Sequence, residues 1–375
     1  MDGKLSTTEL RKRNRNIVFQ YIYHAQTSKT KQEIATDLSL SLPTVTQNLN
    51  ELIEAGVIQY AGWMDSNGGR RARTVVLAKD ARFSIGVELS PKHIQIVALD
   101  LRLDEIAYRR IPCPFSNDPS YSAQLGALLE AFIQEFHLPP EKLLGIGLTL
   151  PGIIDEENGV IEAAPVLRVR KMPLSMFTGN SKYPIYVAND ASAGGFAEWW
   201  NRRDTKNLAY LFIGKGVGGA LLIDGKSYQG EEHRSAEFGH MTLVPGGDVC
   251  SCGKRGCLEA YVSTARLTDD LGIQVEDFFA GLEAGDRRYF DIWQRYLDYL
   301  AVAINNLHCV MDSTVILGGM LTPFLTDHMP DLRARLEMLS SFGGGSHYFD
   351  LGRCGPKANC IGGALHFIDD FLRSI

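Results

Sequence analysis

Glu237-Phe238-Gly239-His240 is followed nine residues later by Cys250-Ser251-Cys252-Gly253-Lys254-Arg255-Gly256-Cys257-Leu258-Glu259. This run holds three of the chain's seven cysteines within eight residues. With His240, the cysteines Cys250, Cys252 and Cys257 make one imidazole and three thiolates, a complete tetrahedral set for Zn²⁺. Gly253 and Gly256 allow the sharp folding that brings the sulfurs together. Four protein ligands leave no position for a reacting water, so the zinc is expected to be structural and not hydrolytic. Free buried thiols, the plainer explanation, do not account for three in so short a stretch beside glycines. An odd number of cysteines also argues against a disulfide framework.

On either side of this run the chain reads as α/β. Leu208 to Ile213 is expected to be a strand, Gly214-Lys215-Gly216-Val217-Gly218-Gly219 a glycine-rich turn, and Ala220 to Ile223 a second strand. Downstream, Tyr289 to Met311 reads as a long helix, Val315-Ile316-Leu317-Gly318-Gly319 as a strand, and Leu365 to Leu372 as a C-terminal helix. The preceding half repeats the theme. Ser84 to Leu89, Ile94 to Leu99 and a run near Ala107 read as a meander, followed by a helix over about 121–136. Leu143 to Leu150 reads as a buried strand ending at Pro151-Gly152, and Ile185 to Ala188 as a strand ending in Asn189-Asp190, where a helix begins. Polar groups at the carboxyl end of a strand are where α/β folds place ligand chemistry. The expected architecture is two related lobes with a cleft between them. The first is residues 81–200 with a C-terminal helix over about 361–375, and the second is residues 201–360.

Residues 1–80 have a different texture. Residues 7–26 read as a helix with Leu10, Ile17, Val18, Tyr21 and Ile22 inward. Thr30-Lys31-Gln32-Glu33 is a capping box that opens a short second helix. A third helix starts near Ser41, buries Val45, Leu49, Leu52 and Ile53, and ends at Gly56. Two short helices joined by a tight turn make a helix-turn-helix. The second helix carries Thr44, Thr46, Gln47 and Asn50 as candidate DNA contacts, with Glu51 on the same face; amides read adenine edges and hydroxyls bond phosphate or base. Strands at Val57–Tyr60 and Thr74–Leu77 flank a hairpin tip with Arg70, Arg71 and Arg73, a wing suited to phosphate or minor-groove contact.

Composition agrees. Hydrophobic residues make up 45% and charged residues 22% of the 375, which excludes a largely disordered chain. Residues 1–82 hold 12 Lys and Arg against 8 Asp and Glu, although the whole chain carries −6. A basic head on an acidic body fits a DNA-binding head joined to something else. No run approaches the ~18 apolar residues of a membrane span, and the basic N-terminus lacks an apolar h-region. No membrane insertion is expected, and the expected location is the cytoplasm.

Asn189-Asp190, Glu237-x-Gly239-His240, the Cys-x-Cys-Gly-x-x-Gly-Cys run and Leu258-Glu259 together resemble the ROK family of sugar kinases and sugar-responsive repressors. The likeness covers essentially the whole chain, because the family's repressor branch also begins with a winged helix ending in a Gly-Gly-Arg wing. The resemblance implies an actin-like (ribonuclease H-like), two-lobed fold of the sugar-kinase type. It implies that Asn189, Asp190, Glu237, His240 and Glu259 bind sugar, with Gly152 on a loop closing over it. Asp190 stands where the kinases keep their catalytic base, and His240 would both ligate zinc and touch the sugar.

One departure separates the two branches. Family kinases open with an Asp-x-Gly-Gly-Thr phosphate loop, and here the matching stretch is Glu88-Leu89-Ser90-Pro91-Lys92. Both glycines and the threonine are gone, and Pro91 removes an N–H donor. In the second loop Lys215 replaces the usual threonine while the glycines remain. The favoured expectation is a sugar-responsive transcriptional repressor without phosphoryl transfer, with no catalytic residue. It would act as a homodimer on palindromic operator DNA. The competing expectations are an active sugar kinase with a regulatory head, and a zinc-stabilised protein held by a protein partner.

Overall fold

The computed structural model describes residues 6–63, 71–179, 181–202, 205–340 and 345–375. The head opens with α1 (Thr7–His24), whose N-terminus is closed by a reciprocal capping box between Ser6 and Glu9. After β1 (Lys29–Thr30), the Thr30/Glu33 box opens α2 (Lys31–Asp37) as the sequence indicates. Ser41 caps α3 (Leu42–Glu54), with Pro43 in its first turn. β2 (Ile58–Trp63) and β3 (Arg73–Leu77) pair antiparallel, and β1 joins the other edge of β3.

Three details of the head differ from expectation. α1 ends at His24. Leu10 is exposed, because the first turns of α1 run past the core, which Val18, Phe19, Ile22 and Tyr23 enter and Tyr21 flanks. Arg73 lies within β3 opposite Trp63 and not at a hairpin tip. Arg70 falls outside the described residues.

The next elements are β4 (Phe83–Leu89), β5 (His93–Asp100), β6 (Glu105–Pro112), α4 (Pro119–Glu135), β7 (Leu143–Leu150), β8 (Ile153–Asp155), β9 (Val160–Ala164), β10 (Val169–Pro173), α5 (Ser175–Thr178), β11 (Ile185–Asn189) and α6 (Asp190–Trp200). Strands β4 to β6 form the antiparallel meander, and β7 and β11 continue the sheet in parallel, in the order β11-β7-β4-β5-β6. Strands β8 to β10 make a separate small sheet.

The second half runs β12 (Leu208–Ile213), β13 (Val217–Ile223), β14 (Lys226–Ser227), α7 (Glu259–Val262), α8 (Val275–Glu283), α9 (Arg287–Met311), β15 (Thr314–Gly319), α10 (Thr322–Leu325), α11 (Met329–Leu339), β16 (Phe349–Leu351) and α12 (Ala358–Ser374). Its sheet is ordered β14-β13-β12-β15-β16, with β12 antiparallel to β13 and parallel to β15. The two sheets share the theme of an antiparallel hairpin beside parallel strands, which is the two-lobed, sugar-kinase-type architecture.

α12 starts seven residues before the expected Leu365 and packs between the first sheet and α6. Glycines on both surfaces allow that approach: a Cβ on Gly147 would lie 1.9 Å from the Gly363 carbonyl oxygen, and one on Gly86 1.8 Å from that of Cys360. The far end of α12 meets the head. Leu365, Ile368 and Leu372 belong to the same buried cluster as Val18, Phe19 and Ile22 of α1 and Val97 and Leu99 of β5. Arg15 donates to the Ile375 carbonyl at 2.9 Å, and Arg102 donates to the carbonyls of Tyr23 and Ala25 at the end of α1. Among the described residues no helix is long and apolar enough to cross a membrane.

Candidate functional site

The cysteine run folds into a compact loop in which Gly253 and Gly256 both adopt left-handed backbone, φ +85° and +82°. A Cβ at Gly256 would strike the Val244 carbonyl oxygen at 1.8 Å. The four expected ligand atoms lie within 4.8 Å of one another. His240 Nδ1 is 3.7 Å from Cys250 Sγ, and Cys252 Sγ is 3.8 Å from Cys257 Sγ. Tetrahedral zinc with bonds of about 2.0–2.3 Å separates its ligands by roughly 3.3–3.8 Å, so the donor set is sized for a metal of this kind. Burial raises the thiols of Cys250 and Cys257, while the Lys254 backbone N–H lowers that of Cys252.

The six expected sugar contacts are neighbours in the structure, Gly152, Asn189 and Asp190 through hydrogen bonds and Asp190, Glu237, His240 and Glu259 through the electrostatic influence they have on one another. Asn189 is the N-cap of α6, its Oδ1 accepting from the Ser192 N–H at 2.8 Å. Its Nδ2 donates to the Gly152 carbonyl at 2.9 Å and to Asp190 Oδ1 at 3.3 Å. Gly152 has φ +132°, and a Cβ there would meet the Ala163 carbonyl oxygen at 2.5 Å. Asp190 also accepts from the Ala191 N–H, and its carboxyl is pushed up to about 6 by burial and by Glu237 nearby. Glu237 is raised by partial desolvation, an effect His240 opposes and Glu259 reinforces.

Glu259 ties two elements together. Its Oε2 accepts from the Val217 N–H at 3.0 Å, where the glycine-rich turn passes into β13. Its Oε1 accepts from the Ser251 hydroxyl and lies 3.6 Å from Cys250 Sγ, in the metal loop. One carboxylate therefore couples the cysteine loop to the start of β13.

Glu88, inside the stretch read as an altered phosphate loop, was not among the expected contacts. Its Oε1 accepts from Asn359 of α12 at 3.0 Å and its Oε2 from Gln95 at 2.7 Å. Burial, and then Asp190, push its carboxyl up to about 7. Its place at the end of a strand facing the cleft is the signal that could have found it. Next to it, the Ser90 N–H and hydroxyl both donate to the His93 carbonyl, at 3.0 and 2.7 Å, and the His93 N–H donates to the Ser90 hydroxyl. Lys215, at the other glycine turn, donates to both carboxylate oxygens of Asp269 at 2.9 and 3.0 Å.

On α3 the four candidate DNA contacts divide. Thr44 bonds Ser41 through its hydroxyl, and Thr46 donates to the Leu42 carbonyl. Gln47 and Asn50 are exposed and line an open concavity that Thr46 also borders, with Lys31, Leu42 and Pro43. Arg11 of α1, which the sequence reading did not single out, reaches over to Glu51 and to the amide of Gln47. Arg71 and Arg73 are exposed.

The comparisons with known proteins agree with this arrangement. Residues 84–340 match the ROK family model, and residues 28–59 match a winged helix-turn-helix DNA-binding model. The chain is 33% identical over 244 residues to the xylose repressor of Caldicellulosiruptor bescii, an alignment spanning 64% of this chain and 61% of that protein. It is 27% identical to the xylose repressor of Bacillus subtilis over 98% of both chains. A crystal structure described as a ROK family transcriptional regulator, a homologue of the E. coli Mlc protein, superposes with a TM-score of 0.77 over 97% of this chain at 22% identity. The chain belongs to the ROK family, and carries a winged helix-turn-helix head ahead of the family's two-lobed fold.

Proposed function

We propose that this protein is a cytoplasmic, sugar-responsive transcriptional regulator, a repressor of carbohydrate-utilisation genes that binds a sugar in its cleft without phosphorylating it. The observation that carries the reading is the β4–β5 turn. Its Ser90 and His93 N–H groups are spent within the turn, and Pro91 has none, so little remains to cradle a nucleotide phosphate. The names of the similar repressors and the winged head support the regulatory half of the reading. The head (1–80) would bind DNA, the two lobes (81–200 with α12, and 201–360) the sugar.

Gly152, Asn189, Asp190, Glu237, His240 and Glu259 would hold the sugar, since carboxylates and an amide are the acceptors a polyol needs. His240, Cys250, Cys252 and Cys257 would hold a structural Zn²⁺. Bound to Nδ1 of His240, the metal would leave Nε2 for a sugar hydroxyl and fix the ring. Thr44, Thr46, Gln47, Asn50, Arg70, Arg71 and Arg73 would contact DNA. Gln47 and Asn50 would set sequence preference, and the arginines would add salt-dependent affinity. A single winged helix reads few base pairs, so a homodimer on a palindromic operator is proposed.

Two measurements test this. A thermal-shift screen over sugars and sugar phosphates identifies a ligand that stabilises the native state. Gel-shift titration on a duplex selected from a randomised pool then measures the coupling, expected at about 5–150-fold in DNA affinity. An affinity unchanged by a saturating ligand would refute the allosteric reading and favour control by a protein partner. A second reading, an ATP-dependent sugar kinase, is favoured by Asp190, whose raised carboxyl suits a general base. A coupled assay showing turnover on the order of 1–1,000 per second with a common aldose would establish it.

A further inference from the structure

The wing hairpin exposes aromatic surface that the fold does not use. Trp63 is 61% and Tyr60 43% exposed, near the free end of β2. Two residues three apart on a strand ordinarily point to opposite faces, but a register shift between Tyr60 and Gly62 inserts one extra residue. Tyr60 therefore pairs with Val75 and Trp63 with Arg73, so both rings share the face that carries Arg73, Val75 and Leu77. Nearer the base of the hairpin that face is covered, with Val75, Leu77 and Ile58 in the head's core. Beyond the core the same face continues as Tyr60, Arg73 and Trp63.

The Arg73 guanidinium lies 3.5 Å from the Tyr60 ring centroid and 5.6 Å from that of Trp63. No acidic side chain pairs with it among the described residues. An arginine held against one ring with a second nearby keeps its charge and its outward N–H groups while losing much of its rotamer freedom in advance. Pre-ordering of this kind lowers the cost of binding an anion. Exposed Trp, Tyr and Arg side by side are also the residue types that dominate interaction surfaces.

We infer that Tyr60 and Trp63 are DNA-positioning residues: they hold Arg73 extended toward the phosphates or the minor groove flanking the bases read by α3. This rests on the proposal that the protein binds DNA. The occupant is double-stranded DNA and not an acidic protein, because the patch continues the DNA-binding head. α3 leads directly through Gly56 into β2, and the exposed Arg71 adds a second positive charge beside it. Residues 60–73 lie beyond the part of the head that matches the winged-helix model, which ends at residue 59.

The test uses the full chain and a mixed-sequence duplex of about 40 base pairs, long enough to follow the salt dependence of binding. Trp63 is the most exposed described tryptophan, so DNA is expected to quench fluorescence in the wild type and not in Trp63→Phe. Trp63→Ala and Tyr60→Ala are each expected to weaken DNA binding by about 2- to 30-fold, the range of a cation–π contact. Arg73→Lys should lose a similar factor while keeping the salt slope, and Arg73→Ala should lower that slope by about one. Unchanged melting temperatures would show that the exposed substitutions leave the fold intact. Wild-type affinity in Trp63→Ala and Tyr60→Ala, with no quenching, would overturn this inference and leave the DNA-binding proposal standing. No binding by the wild type at any salt would overturn both.

Discussion

The β4–β5 turn of the first lobe and the β12–β13 turn of the second occupy corresponding places, yet different groups secure them. The first is held through backbone: Ser90 and His93 exchange backbone and hydroxyl bonds across Pro91, and the carbonyls of Pro91 and Lys92 accept from the N–H groups of Phe115 and Cys113. The second adds acidic side chains to its own Gly214–Gly216 bond, Glu259 on the Val217 N–H and Asp269 on Lys215. The glycines at the start of β13 are held by packing as well. A Cβ on Gly219 would lie 2.2 Å from the Phe238 ring, and one on Gly218 3.2 Å from Ala191. A turn held through its backbone tolerates a change of side chain, whereas one held by particular side chains and close packing does not.

The contrast breaks most readily at the metal loop. If Glu259 transmits the order of that loop to the second turn, Cys257→Ser should lower zinc content and weaken sugar binding by about 10–100-fold. Elemental analysis beside a sugar thermal-shift titration checks this, and normal sugar binding by zinc-free protein would show the two to be independent. Gly219→Ala should come next, destabilising by about 1–3 kcal/mol through overpacking against Phe238, as measured by denaturant unfolding.

A smaller effect is expected from Glu88→Gln, read as a pH slope. Glu88 and Asp190 have carboxyls raised to about 7 and about 6. Between the usual carboxylate range near 4 and those values the folded chain holds protons that the unfolded chain has released, so stability falls as pH rises and levels off above about 7. Glu88→Gln should flatten that fall, and melting curves between pH 4 and about pH 8 would show it. Smallest of all should be Lys215→Ala and Pro91→Gly, each within about 0.5 kcal/mol, since the first loses an exposed ion pair and the second alters a solvent-facing turn. A large loss in Pro91→Gly would mean that the first turn depends on the proline ring and not on its backbone bonds alone.

Local signals carried the sequence reading wherever the interaction was local. The Thr30/Glu33 box, the Ser41 cap and the spacing of His240, Cys250, Cys252 and Cys257 all reappear in the structure. What failed depended on distant partners. Leu10 fits a helical stripe, but how far the core extends along α1 is set by β5 and α12. Glu88 gains its environment from Asn359, 271 residues away. The facing of Trp63 depends on one bulged residue that shifts the register, which alternation alone does not reveal. Asn189 was legible as a polar group at a strand end where a helix begins, but not as the cap itself, and the structure places its amide in the cap of α6 and on the Gly152 carbonyl.

The shared cluster of α1, β5 and α12 has a consequence for how the chain is made. Val18, Phe19 and Ile22 leave the ribosome long before the Leu365, Ile368 and Leu372 that cover them. Until then the head carries an uncovered apolar face, and contacts of such long sequence separation form slowly. A chain stalled or cut before α12 would therefore display a helix-turn-helix without its full support. Synthesis of α12 thus becomes the step that completes the head.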